Sequence, residues 1–96
     1  MDIRIGQITA AEKVEKSKKL LKLTVNDGIK DRTILSGIAE HFEPTAIVGK
    51  QVSFLANLAP RKIMGQESEG MILMAEDADG SLAFIQPSKE VWNGAS

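Results

Sequence analysis

Two basic segments hold the residues most able to do chemistry. One spans residues 57–71, Asn-Leu-Ala-Pro-Arg-Lys-Ile-Met-Gly-Gln-Glu-Ser-Glu-Gly-Met, and sets Arg61 and Lys62 side by side after Pro60. The other spans residues 13–22, where Lys13, Lys16, Lys18, Lys19 and Lys22 face only Glu15, a local charge of +4. Clustered cations can neutralise phosphates and release their counterions, giving affinity for a polyanion that falls with salt and carries little sequence information. Pro60 fixes its own φ and pushes Ala59 out of the helical region, while Gly65 and Gly70 let a ligand approach the backbone. The plainer alternative is a long connection with solvated cations.

Catalytic and metal chemistry find no complete set of residues. His41 is the only histidine and the chain has no cysteine, so no second imidazole or thiolate completes a metal or catalytic group. Glu67 and Glu69 lie close in sequence but lack a neighbouring acid, base or nucleophile. Asp77-Ala78-Asp79-Gly80 begins like a calcium loop without its later oxygen ligands or terminal Glu, and reads as a turn. The chain is therefore expected not to be an enzyme by itself, and to need no cofactor and no metal.

These segments must be positioned by a small scaffold. A chain of 96 residues makes one domain, 1–96, with a modest core. Without cysteine there is no disulfide framework, which fits a reducing cytosol. No apolar run reaches membrane-span length and the Asp2-Ile3-Arg4 start lacks a signal peptide's apolar centre, so a cytoplasmic location is expected. The net charge of -1 hides a division: residues 1–62 carry 11 Lys or Arg against 7 Asp or Glu, whereas residues 63–96 carry 1 against 6.

Periodicity predicts a nearly all-β chain. Residues 2–11 make a first strand with a bulge or bend at Gly6, and residues 12–19 a polar loop. Residues 20–25 place Leu21, Leu23 and Val25 on one face and Lys22 and Thr24 on the other. Asn26-Asp27-Gly28 turns the chain into a third strand over residues 32–38. Residues 44–48, opened by Pro44 and closed by Gly49, predict one or two helical turns. Residues 51–56 and 70–75 predict the fourth and fifth strands, the latter apolar on both faces and needing cover on both. Residues 82–85 predict a sixth short strand leading to a tail, about residues 81–96, with Phe84, Ile85, Val91 and Trp92. This tail folds back or is exchanged with a second copy, and the shortage of core favours a homodimer, with Ile3, Phe84, Ile85, Val91 and Trp92 as expected contacts.

Three strands, a short helix and two further strands are the order of a five-stranded OB-type barrel. That fold binds nucleic acids or oligosaccharides at its second and third strands and at the loops after the first and fourth. Both basic segments fall on those two loops. Single-strand binders of this fold stack bases on aromatics, and residues 20–26 and 32–38 hold none. A ligand read through its backbone, such as folded RNA, suits the pattern better.

The blocks Ser17-Lys18-Lys19-Leu20-Leu21-Lys22-Leu23, Arg32-Thr33-Ile34-Leu35-Ser36-Gly37-Ile38-Ala39, Val48-Gly49-Lys50, residues 57–65 and Ser68-Glu69-Gly70-Met71-Ile72-Leu73 together resemble the tRNA-binding domain appended to bacterial methionyl-tRNA synthetases. Similar domains occur as stand-alone tRNA-binding proteins. The resemblance covers nearly the whole chain and implies an OB fold that binds tRNA by shape and backbone and helps join two subunits. By position it implies cationic contacts at Lys19 and Arg32, and contacts from Ser36, Asn57, Arg61, Lys62, Ser68 and Met71. Lys18 stands where the family usually has Asp, and Trp92 where it commonly has Pro. The faint synthetase signature in Lys16-Ser17-Lys18-Lys19 lacks the companion histidine motif and nucleotide fold that its chemistry requires.

Physical chemistry adds to each of these residues. Ser36, Asn57 and Ser68 can donate to phosphate or accept from a ribose 2′-hydroxyl, although a turn or cap hydrogen bond would serve equally. Met71 can lie against a base or sugar, or simply fill core. The expected site is thus Lys18, Lys19, Lys22, Arg32, Ser36, Asn57, Arg61, Lys62, Ser68 and Met71, with tRNA as partner and neither a membrane nor a small-molecule substrate. The alternatives to an appended tRNA-binding and dimerising domain of a synthetase are a stand-alone tRNA-binding protein, a protein-interaction or chaperone-like module whose tail and fifth strand dock a partner, and a domain that only dimerises.

Overall fold

The computed structural model describes residues 2–56, 59–63 and 65–96. Its elements are β1 (Ile3–Lys13), β2 (Leu21–Asn26), β3 (Asp31–Ser36), α1 (Pro44–Ile47), β4 (Gln51–Leu55), β5 (Arg61–Ile63), β6 (Gln66–Ser68), β7 (Met71–Ile72), β8 (Met74–Glu76) and β9 (Leu82–Phe84). Five of them form an antiparallel sheet in the order β3-β2-β1-β4-β7. On β2, Leu21, Leu23 and Val25 are buried while Lys22, Thr24 and Asn26 are half-buried, as the alternation predicts. Their partners in the core include Ile8, Ile34, Val52 and Phe54.

The sheet curls because β1 is shared. Ile3 to Gln7 pair with β4, and Gln7 to Lys13 pair with β2. The chain just before β7 then meets the far edge, β3: Glu69 N–H donates to the Thr33 carbonyl at 2.8 Å, and Leu35 N–H donates to Ser68 Oγ at 3.0 Å. The result is the expected OB-type barrel. One turn of helix, opened by Pro44 and with Ile47 buried, closes one end of the core between β3 and β4.

Four expectations need correcting. The irregularity in β1 falls between Ile8 and Ala10 and not at Gly6. Gly6 answers a packing demand instead, since a Cβ there would sit 2.5 Å from Val25 Cγ1 and 2.8 Å from Phe54 Cε1. The third strand is Asp31–Ser36, because beyond it Ile38 N–H turns back to the Ser36 carbonyl. The expected loop over residues 57–69 contains the β5–β6 hairpin, whose polar strands gave no apolar alternation to recognise.

Finally, the expected fifth strand divides. Met71 and Ile72 pair with β4, whereas Met74 to Glu76 pair with β9. The tail folds back on its own chain. Phe84 stacks on Phe42 with ring centroids 4.8 Å apart, while residues 91–95 cross the first half of β1. Ile5 points its N–H and carbonyl away from β4, and they pair with the Ala95 carbonyl (2.7 Å) and Gly94 N–H (2.6 Å). The Gln51 side chain holds the Val91 backbone by donating to its carbonyl at 2.6 Å and accepting from its N–H at 3.0 Å. Among the described residues, no helix is long and apolar enough to cross a membrane.

Candidate nucleic-acid interface

Across the β5–β6 hairpin Arg61 faces Ser68 and Lys62 faces Glu67. Paired residues share a face and successive residues alternate, so the two cations leave the hairpin on opposite sides. Both are exposed, and among the described residues no acid forms an ion pair with either. Arg61 shares a small depression with Leu35, Ile63, Ser68 and Met71. Met71 is exposed on its rim, while Ser68 is only 3% exposed. The Ser68 hydroxyl accepts from Leu35 N–H and donates to the Gly70 carbonyl at 3.1 Å, so it joins β6 to β3 and is committed within the protein.

The pairing of residue 69 with 33 and of 68 with 35 makes β6 antiparallel to β3. Its starting end at Gln66 is directed toward and past Ser36. At that same end of β3 the Ala39 N–H donates to the Lys19 carbonyl at 2.9 Å, which ties down the β1–β2 loop. Ser17 Oγ braces that loop by accepting from the N–H groups of Lys19 (3.2 Å) and Leu20 (3.3 Å). Lys18 and Lys19 are exposed and form no ion pair among the described residues, whereas Lys22 lies 3.8 Å from Glu12. Ser36 is half-buried opposite Leu21. Asn57 lies outside the described residues.

Arg32 is placed differently from the other cations. Its side chain is 19% exposed, and Nε donates to Asp27 Oδ2 at 2.6 Å. Nη1 donates to the carbonyls of Ala56 (2.9 Å) and Glu69 (3.0 Å), and Cζ lies 5.5 Å over the centroid of the Phe54 ring. Burial raises the pKa of the Asp27 carboxyl, but the Arg32 hydrogen bond and the N–H groups of Lys30 and Ile29 outweigh it and lower the pKa to about 2. The Glu69 carboxyl is also lowered, chiefly by its hydrogen bond from Lys30 at 3.1 Å, against the opposing effect of burial. Sequence reasoning passed over Asp27 and Glu69 as supports for this wall. Asp27 carried only a turn signal, and the link between Glu69 and β3 spans more than thirty residues of sequence.

Of the residues expected at a dimer contact, Trp92 is 88% exposed, Ile3 and Ile85 are exposed, and Phe84 and Val91 are half-buried. Trp92 borders an open cleft of about 690 Å³ that Gln7, Gln51, Pro87 and Val91 also line.

Residues 3–96 match the family model described as "Putative tRNA binding domain". The chain belongs to the tRNA-binding domain family. Over 95 residues, 99% of its length, this tRNA-binding domain is 68% identical to the methionine–tRNA ligase of Cytophaga hutchinsonii, of which it spans 14%. Among solved structures it is similar to the MetRS-related protein of Pyrococcus horikoshii, with 42% identity, a TM-score of 0.90, and coverage of 97% of this chain and 85% of that one. It is also similar to the chaperone CsaA of Bacillus anthracis, at 26% identity and a TM-score of 0.87, covering 98% of this chain and 87% of that one.

Proposed function

We propose that this domain binds tRNA through its ribose-phosphate backbone and serves as a non-catalytic, C-terminal appendage of a methionine–tRNA ligase. The observation that carries the reading is the placement of Arg61. It is exposed, has no ion-pair partner among the described residues, and sits beside Met71 on a hairpin directed toward the end of β3 where Lys19 is held. Lys18, Lys19 and Lys62 extend the cationic surface, and Ser36 and Asn57 are the polar groups that favour ribose over deoxyribose. Backbone recognition of this kind is salt-dependent and tolerant of sequence.

A titration of total tRNA against duplex DNA of equal charge at several salt concentrations tests this. With about four to six phosphates neutralised, log affinity should fall against log salt with a slope of roughly -3 to -5. Arg61→Ala with Lys62→Ala should weaken tRNA binding and flatten the slope by about 1 to 2 while the fold is kept. A slope near zero for the unmodified chain would overturn the reading. Retention of unfolded protein in place of tRNA would favour a chaperone-like module.

The same chain also forms a homodimer in this proposal. Support comes from the exposure of Trp92, Ile85 and Ile3, three large apolar side chains, and from the place of Trp92 at the edge of a cleft. Sedimentation of the unmodified chain should give the mass of two copies.

A further inference from the structure

We propose that Arg32 is a positioning residue for the RNA-binding hairpin, acting from inside the barrel wall and not by meeting phosphate. The proposal rests on the tRNA-binding reading above. Its basis is that one guanidinium group reaches both feet of the segment that carries Arg61 and Lys62. Nη1 bonds the carbonyl of Ala56 at the point where β4 ends, and the carbonyl of Glu69 just after β6. Each foot also has a backbone bond of its own, Ala56 N–H to the Asp2 carbonyl and Glu69 N–H to the Thr33 carbonyl, and the Arg32 nitrogen is the group that ties the two feet to each other.

Two contacts and burial fix the nitrogen. Asp27 holds Nε at 2.6 Å, Phe54 lies beneath Cζ, and the surrounding wall leaves little of the side chain in contact with solvent. Glu69 adds a second pin, with its own N–H on the Thr33 carbonyl and its carboxylate accepting from Lys30 and from Thr33 N–H. Asp27 also sets a buried counter-charge against Arg32 and occupies its Nε, so a phosphate would meet a guanidinium that is already paired and mostly enclosed. A lysine could carry the same charge, but its single ammonium cannot present the planar fork that engages Asp27 and the two carbonyls together.

Arg32→Lys in the 96-residue chain separates the two roles, because it preserves charge and removes the fork. Acting by position, Arg32→Lys should lower total-tRNA affinity roughly tenfold, the worth of a lost charge-assisted pair. Added to Arg61→Ala with Lys62→Ala, it should cost little more, since it works through those residues. Amide hydrogen exchange should quicken over residues 61–69 and stay slow in β1 and β2. Unchanged tRNA affinity, full additivity with the hairpin variant, or exchange that rises equally across β1 and β2 would each overturn the proposal.

Should Arg32→Lys fail to fold, Asp27→Asn keeps the guanidinium and loosens its hold, with the same two readouts. Weaker tRNA binding is then expected, whereas a free phosphate ligand relieved of its counter-charge would bind more tightly. If the unmodified chain retains no tRNA, the functional reading falls, and the exchange pattern still decides whether Arg32 holds the hairpin.

Discussion

Asp27 lies in a turn whose sequence, Asn26-Asp27-Gly28, announces only a change of direction, yet its carboxylate accepts from Ile29 N–H, Lys30 N–H and Arg32. Its folded pKa of about 2 lies below the ordinary 3.8. A depressed carboxyl stabilises the fold fully above its unfolded value and loses that contribution as pH falls through the folded one. The gap corresponds to about 2 kcal/mol, at roughly 1.4 kcal/mol per pH unit. Urea denaturation between about pH 5 and about pH 2 should therefore show the unmodified chain losing about 2 kcal/mol more than Asp27→Asn. Equal losses would mean that the Asp27–Arg32 pair is no tighter in the folded state than in the unfolded one. The cationic character of Arg32 was legible in the sequence, but its commitment was not. Only folding brings Ala56 and Glu69 to the same guanidinium, and nothing local in residues 26–32 signals those distant carbonyls.

Elements with strong apolar alternation were the readable ones. β2 could be placed from Leu21, Leu23 and Val25, and α1 from Pro44 and the glycine that follows it. The β5–β6 hairpin was not, because Arg61, Lys62, Gln66, Glu67 and Ser68 have no apolar face to bury, and its strands are held by pairing and by the Ser68 link to β3. The division of the fifth strand was hidden for the opposite reason, since an all-apolar run does not say where one partner strand ends and the next begins. At Gly6 the sequence signal was sound but its cause was misread. β1 passes so close to Val25 and Phe54 that a methyl group has no room, and both neighbours belong to the fully buried core. Gly6→Ala should consequently destabilise the chain by about 1 to 3 kcal/mol, the usual cost of overpacking. Equilibrium denaturation would show this as a lower midpoint with an unchanged slope, and no loss would mean that β1 can shift away from β2 and β4.

At the scale of the whole molecule, the tail links the two proposed interactions physically. Gly28 and Gly94 both have positive φ, and each presents its bare α-carbon to the other's neighbourhood: a Cβ on Gly28 would strike the Asn93 carbonyl, and one on Gly94 would lie 2.5 Å from the Asp27 carbonyl oxygen. The turn that holds Arg32 is thus also the seat of the segment that presents Trp92. Seating and presentation can be separated by substitution. Trp92 is almost wholly exposed, so Trp92→Ala removes no core and, at protein concentrations low enough to keep single copies, should leave the unfolding free energy within about 0.5 kcal/mol of the original while weakening self-association at higher concentration. Gly94→Ala meets both a backbone conformation that side chains disfavour, worth about 1 kcal/mol, and the blocked approach to Asp27. It should lower stability and self-association together, because a tail that cannot lie against Ile5 and Asp27 no longer holds Trp92 in place. Sedimentation across a range of protein concentrations, paired with urea denaturation, distinguishes the two variants. If Trp92→Ala sediments as the unmodified chain does, Trp92 does not join two copies, and the tail serves to close the open edge of β1.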